Sequence, residues 1–199
     1  MKPNDEIEEF DWAKEFPQLC DDNGNFEGFD VVMGNPPYIS VKEIPENHKK
    51  YFADNYQTAK GQFDLYNLFI EKGYDLLKND GHFAMITSNT YFANKNMQPI
   101  REFLLENVKI LQLANLDESI FKEARLDVGI TIYQKTKTAG DYKINIVPDK
   151  THFDNQESYF LQKSNFDKSA NRTFTIHIRP FEFSIFEKMQ HNAILLSEM

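Results

Sequence analysis

The chain is poor in cysteine, in long apolar runs, in paired glycines and in excess basic charge, and each shortage excludes something. Cys20 is the single cysteine among 199 residues, so no disulfide can close within the chain. That usage fits a reducing, cytoplasmic setting. No stretch approaches the roughly 18 apolar residues of a membrane-spanning helix. The opening MKPNDEIEEFDW is acidic and lacks the apolar segment of a secretory leader. The eight glycines lie at 24, 28, 34, 61, 73, 81, 129 and 140, so no G-x-G loop is present to cradle a nucleotide. The net charge is −9, against the basic footprint of a strong nucleic-acid binder. The imbalance is local. Residues 1–30 hold ten acidic and two basic side chains, and the remainder holds 21 and 20. A nearly neutral body follows an acidic leader and carries no dominant basic patch.

What the chain does have is material for a core. Hydrophobic residues make up 41% and aromatic residues 14%, which excludes wholesale disorder. FDVVM (29–33), between Gly28 and Gly34, has the continuous apolar pattern of a strand buried on both faces. From Asp64 to Leu77, apolar residues recur at helical spacing. Asp64 is placed to cap that helix, and NDG at 79–81 to end it. HFAMIT (82–87) reads as a buried strand, MQPIREFLLENV as a helix with Pro99 near its start, and KILQLANL as a strand. VGITIYQKT and YKINIV (142–147) follow as strands, TFTIHI reads as another, and PFEFSIFEKMQ as a helix opening on Pro180. IPENHKKYFADNYQTAKGQF is polar enough for a surface helix and loop. Alternating strands and helices predict a wound α/β sheet, and the consecutive strands near the end predict an antiparallel hairpin at one edge.

Asn35-Pro36-Pro37-Tyr38 stands directly after FDVVM, at the carboxyl end where open α/β sheets bind ligands. Prolines fix φ near −65° and donate no N–H, so the turn is rigid and its carbonyls are available as acceptors. Asn35 adds an uncharged acceptor and Tyr38 a flat ring. Those parts suit an aromatic amine, whose lone pair is delocalised into its ring. Two acceptors, one per N–H, localise that lone pair and stabilise the positive charge that grows as a methyl group arrives. A stacked ring would hold a base taken out of a duplex. The same tetrapeptide also reads as a common turn or a surface ligand sequence.

FDVVMGNPPYI, GQFDLYNLFIEKGYDLLKNDGHFAMITSN and IREFLLENVKI…IFKEARLDVGITIYQK, in that order, resemble the amino-methylating DNA adenine methyltransferases of restriction–modification systems, the large type II and IIG-like enzymes above all. The resemblance spans about Phe10 to Lys137. It implies a partial S-adenosylmethionine-dependent, Rossmann-like methyltransferase sheet with a final antiparallel strand, and transfer of a methyl group to N6 of a flipped adenine in double-stranded DNA. It implies that Asn35 and the Pro36 carbonyl accept from the adenine amine, and that Tyr38 and Phe121 pack against the base. It implies further that Asn35 and Pro37 touch the methyl donor, while Leu65 and Phe69 cover its adenosine. No metal is implied.

The family's Gly-rich donor loop and acidic ribose contact have no counterpart here, and no PD…(E/D)-x-K-type nuclease segment is evident. The chain therefore reads as an acidic lead-in (1–28), the catalytic half of a methyltransferase domain (29–148) and an extension (149–199) toward a target recognition domain. A truncated sheet would also expose an edge suited to self-association. Methyltransferases of protein glutamine or RNA guanine, and a non-catalytic remnant that binds DNA or a partner, are the other readings. With part of the donor site absent, calorimetric titration of the chain alone with S-adenosylmethionine is expected to show no tight binding; tight binding would refute the incomplete site.

Overall fold

The computed structural model describes residues 10–116, 127–138, 140–148 and 157–192. Their strands form a six-stranded mixed sheet in the order β1-β2-β4-β3-β5-β6. The strands are β1 (Phe29–Gly34), β2 (Leu77–Ser88), β3 (Lys109–Asn115), β4 (Val128–Gln134), β5 (Lys143–Val147) and β6 (Tyr159–Gln162). The helices are α1 (Trp12–Glu15), α2 (Glu46–Asn55), α3 (Leu65–Leu76), α4 (Thr90–Ala93), α5 (Gln98–Asn107), α6 (Lys163–Asp167) and α7 (Pro180–Asn192). β1 and β2 pair in parallel, and β4 runs antiparallel between β2 and β3.

The wound α/β sheet is as expected, but its edges are not. β4 and β5 form no hairpin, because β4 inserts between β2 and β3 while β5 lies parallel on the far side of β3. The antiparallel edge pair is β5 with β6 instead. β1 is an edge strand rather than a doubly covered one, with Val31 56% and Met33 75% exposed. Asn79-Asp80-Gly81 does not terminate the helix. α3 ends at Leu76, and the triplet forms an irregularity inside β2. Asp80 adopts a φ of 63°, and the Lys135 backbone pairs with both Asp80 and Gly81, so the ladder continues through the turn. TFTIHI is not a strand either. Phe174 N–H donates to Phe92 O (2.8 Å) and buries its ring, but the following backbone bonds are local turns.

One face of the sheet carries the core. Ile70 of α3 and Phe103 and Leu104 of α5 pack there with Phe83, Ile110, Leu113 and Tyr133. The Tyr133 ring stacks on Phe83 at 4.3 Å, and its hydroxyl donates to Ile70 O (2.9 Å). Gly73 lets α3 approach this closely. A Cβ there would lie 2.3 Å from the Phe83 ring.

The extension belongs to the same core. Phe166, Phe174 and Ile176 are buried in it, and Arg101 fastens the segment down. This fully buried guanidinium donates to the carbonyls of Tyr91 (2.6 Å) and Asn94 (2.8 Å) on one side. On the other it reaches those of Asn171 (2.8 Å) and Arg172 (3.1 Å), two residues with φ near +50°. Burial presses its pKa down to about 10, with Glu102 opposing the shift.

Gly73→Ala would gain about 1 kcal/mol of helix propensity, yet it drives a methyl into the Phe83 ring. We expect a net loss of about 1–3 kcal/mol, read as a lower urea midpoint at unchanged slope.

Candidate active site

The tetrapeptide leaves β1 at Gly34, at the carboxyl end of a strand whose neighbour β2 runs in the same direction. Asn35 is exposed, Pro36 buried and Tyr38 half-buried. The Tyr38 hydroxyl donates to Asn35 Oδ1 (2.8 Å) and approaches Ile86 O on β2 (3.3 Å). Burial raises its pKa, so the hydroxyl stays a donor at neutral pH. An amide oxygen has two lone pairs, and this bond leaves one for a substrate N–H. Edge-on contact with Tyr66 at 6.2 Å supports the Tyr38 ring. Tyr66 in turn donates to Met97 Sδ (3.4 Å) and packs against Tyr91.

Just past Tyr38 the chain is tied to the start of α3. Leu65 N–H donates to Ile39 O (2.8 Å), Val41 N–H to Phe63 O (3.1 Å), and Ser40 bridges Asp64. Asp64 is the N-cap residue of α3, and its N–H donates to Asn67 Oδ1 (3.3 Å). Burial raises the Asp64 carboxyl, and the nearby Glu43 adds to the shift. The stiff Pro-Pro turn and the first turn of α3 thus hold each other in place.

Leu65 and Phe69 come together as their i, i+4 spacing requires. They line a cavity of about 320 Å3 with Phe52, Tyr56, Leu68 and Lys72. Reading IPENHKKYFADNYQTAKGQF (44–63) only as a polar surface helix and loop missed Phe52 and Tyr56; their own i, i+4 spacing is the signal that marks them. Glu71 fixes the loop between the helices. Its buried carboxylate accepts from Gln57 N–H (2.8 Å) and Thr58 N–H (2.9 Å). The cavity is lined mostly by apolar side chains. Its lining includes neither Asn35 nor Pro37, so contact of those two with the methyl donor is not visible in it. Phe121 lies outside the described residues. Asn89, at the end of β2, caps nothing with its side chain; it donates to Asn115 Oδ1 (2.6 Å) across the rim.

Residues 1–121 match the Eco57I restriction-modification methylase family. The chain belongs to that family. Among relatives, the type II methyltransferase M.BanIII of Aneurinibacillus aneurinilyticus is 33% identical over 135 residues, covering 62% of this chain and 23% of that protein. The type II methyltransferase M.HincII of Haemophilus influenzae is 28% identical over 145 residues, covering 68% and 29%. The chain thus spans less than a third of the length of either. The fold is shared with the type IIG restriction endonuclease BpuSI (TM-score 0.57, 17% identity, 82% of this chain and 22% of that one). It is shared also with a chain of a type I restriction–modification system (TM-score 0.56, 14% identity, 83% and 43%). Among the described residues no helix is long and apolar enough to cross a membrane, and no cluster of potential metal ligands is present.

Replacing Tyr38 by Phe keeps the ring and removes both hydroxyl contacts. We expect a stability loss of about 1 kcal/mol, checked by urea denaturation. A neutral result would mean that the hydroxyl does not hold Asn35.

Proposed function

We propose that this chain is the catalytic half of a DNA adenine-N6 methyltransferase of a restriction–modification system. The observation that carries the reading is Asn35, exposed at the end of β1 with its amide oxygen oriented by Tyr38 and one lone pair free. The Asn35 oxygen and the Pro36 carbonyl take one N–H each of the adenine amine. Their pull localises the nitrogen lone pair and spreads the positive charge of the transition state. Asn35 is uncharged and needs no proton from the amine before attack, since the proton is more acidic once the new N–C bond has formed. The Tyr38 ring holds the extruded base by stacking, with Phe121 as its second aromatic contact.

The donor residues fit in part. Phe52, Tyr56, Leu65 and Phe69 offer an apolar slot for the adenosine of S-adenosylmethionine, and Asn35 with Pro37, outside that slot, would meet the methyl end of the donor. That donor supplies a methyl group on a positively charged sulfur. Residues outside this chain complete its site, and in the whole protein the partner is duplex DNA.

The test uses the chain fused to the part of M.BanIII that lies outside the matching region. Such a protein is expected to label N6 of adenine in duplex DNA and to leave a glutamine peptide unlabelled. Asn35→Ala should lower kcat by about 100- to 1000-fold, the usual effect of deleting one acceptor or donor at a developing charge. Equal activity of the variant, or labelling of the peptide alone, would refute the assignment.

A further inference from the structure

A base swung out of a duplex turns about its own backbone, so the phosphates beside it must be held while it enters its pocket. Contacts to phosphates set register and orientation. Two short segments at the rim beside Asn35–Tyr38 have the chemistry for this. They are residues 60–62, ahead of α3, and residues 94–96, between α4 and α5. A closed ring of contacts ties both to the tetrapeptide. Ser40, two residues past Tyr38, bridges Asp64, two residues past Gln62. Gln62 Oε1 accepts from Asn96 Nδ2 (2.9 Å). Next to Asn96, Met97 Sδ accepts from the Tyr66 hydroxyl (3.4 Å), and the Tyr66 ring meets that of Tyr38 edge-on at 6.2 Å.

The first segment is a turn of free donors between fixed points. Thr58 N–H is held by Glu71 (2.9 Å), and Ala59 and Phe63 are buried on either side of it. Lys60, Gly61 and Gln62 between them are exposed, and Gly61 turns the chain at a φ of 68°. Among the described residues the N–H groups of all three donate to nothing. Successive free N–H groups around such a turn form a concavity that suits an anion. Because the Gln62 oxygen is taken by Asn96, its Nε2 is left as a further donor. Charge agrees with this. Residues 56–62 and 89–98 carry Lys60 and Lys95 and no acidic side chain, in a chain of net charge −9. Lys49, Lys78 and Lys163 pair with carboxylates, whereas Lys60 and Lys95 pair with none among the described residues. A lysine that served only solubility would need no aligned N–H groups beside it.

We infer that the Lys60–Gln62 turn and Lys95 form a clamp for two consecutive phosphodiesters of the DNA strand that carries the target adenine. The turn takes one phosphate through Lys60, Gln62 Nε2 and the backbone N–H groups, and Lys95 takes the next. These are positioning residues: they hold the backbone about which the base turns toward Asn35 and Tyr38. The inference rests on the reading of the chain as part of a DNA methyltransferase and adds to it how the strand is held.

Amide NMR spectra of the full chain are recorded against a short duplex with one adenine opposite an abasic site, and against inorganic phosphate. The N–H signals of Lys60, Gly61 and Gln62 are expected to move with the duplex at concentrations where inorganic phosphate leaves them in place. By fluorescence anisotropy, Lys60→Gln/Lys95→Gln should reduce the slope of log affinity against log salt by about 2, from about 0.9 per phosphate contact. Lys78→Gln, at the other end of β2, should leave that slope unchanged. In the fused protein the double variant should raise KM for DNA about tenfold and keep kcat within about twofold, since phosphate contacts position rather than react. An equal response to inorganic phosphate, signals unmoved by the duplex, or an unchanged slope would each overturn the proposal. The chemistry is judged separately. Labelling of N6 at an unchanged KM by the double variant strikes the clamp alone. An unsubstituted fusion that labels nothing while the amide signals move strikes the methyl transfer alone.

Discussion

The placement of Asn35 depends on the hydroxyl of Tyr38. That group bridges the Asn35 amide and the backbone of β2, so the loop leaving β1 is tied to the neighbouring strand as well as its own. Prolines stiffen the segment but cannot orient an amide at its start. The orientation comes from a partner three residues on, itself wedged against Tyr66. The aromatic succession Tyr38, Tyr66, Tyr91 then carries the loop's position into the buried part of the molecule. Burial raises the pKa of all three, so each remains a neutral donor near pH 7.

Arg101 extends the same logic. A buried cation that bonds only to carbonyls is costly, and here it joins two segments far apart in sequence. Tyr91 and Asn94 follow the carboxyl end of β2, while Asn171 and Arg172 belong to the extension. The described part of the extension is consequently built into the domain: β6 adds to the sheet, and Phe166 and Phe174 fill its core.

Helical and strand periodicity made the middle of the chain legible. α3, α5, β3 and β4 fall where their spacing places them, because each buries one face against the same core. The errors have physical reasons. TFTIHI alternates as a strand does, but its apolar residues fill a core gap with no ladder beside them. The Asn79–Gly81 turn has helix-stop chemistry, yet the Asp80 N–H and the Gly81 carbonyl are paired with Lys135, just past β4. Helical spacing set Leu65 and Phe69 on one wall of a cavity, while Phe52 and Tyr56, which line it too, went unread in a segment taken as polar helix and loop.

The sequence by itself determined the rigid Asn-Pro-Pro-Tyr turn, the amphipathic α3 that follows it and the family to which they point. These are local: proline geometry and 3.6-residue spacing need no distant partner. Tertiary structure alone decided that β4 slips between β2 and β3, and that among the described residues β1 is an edge strand with Val31 and Met33 exposed. Strand order and coverage depend on which elements meet across long stretches of chain, and alternation along a strand is the same whichever neighbour it acquires.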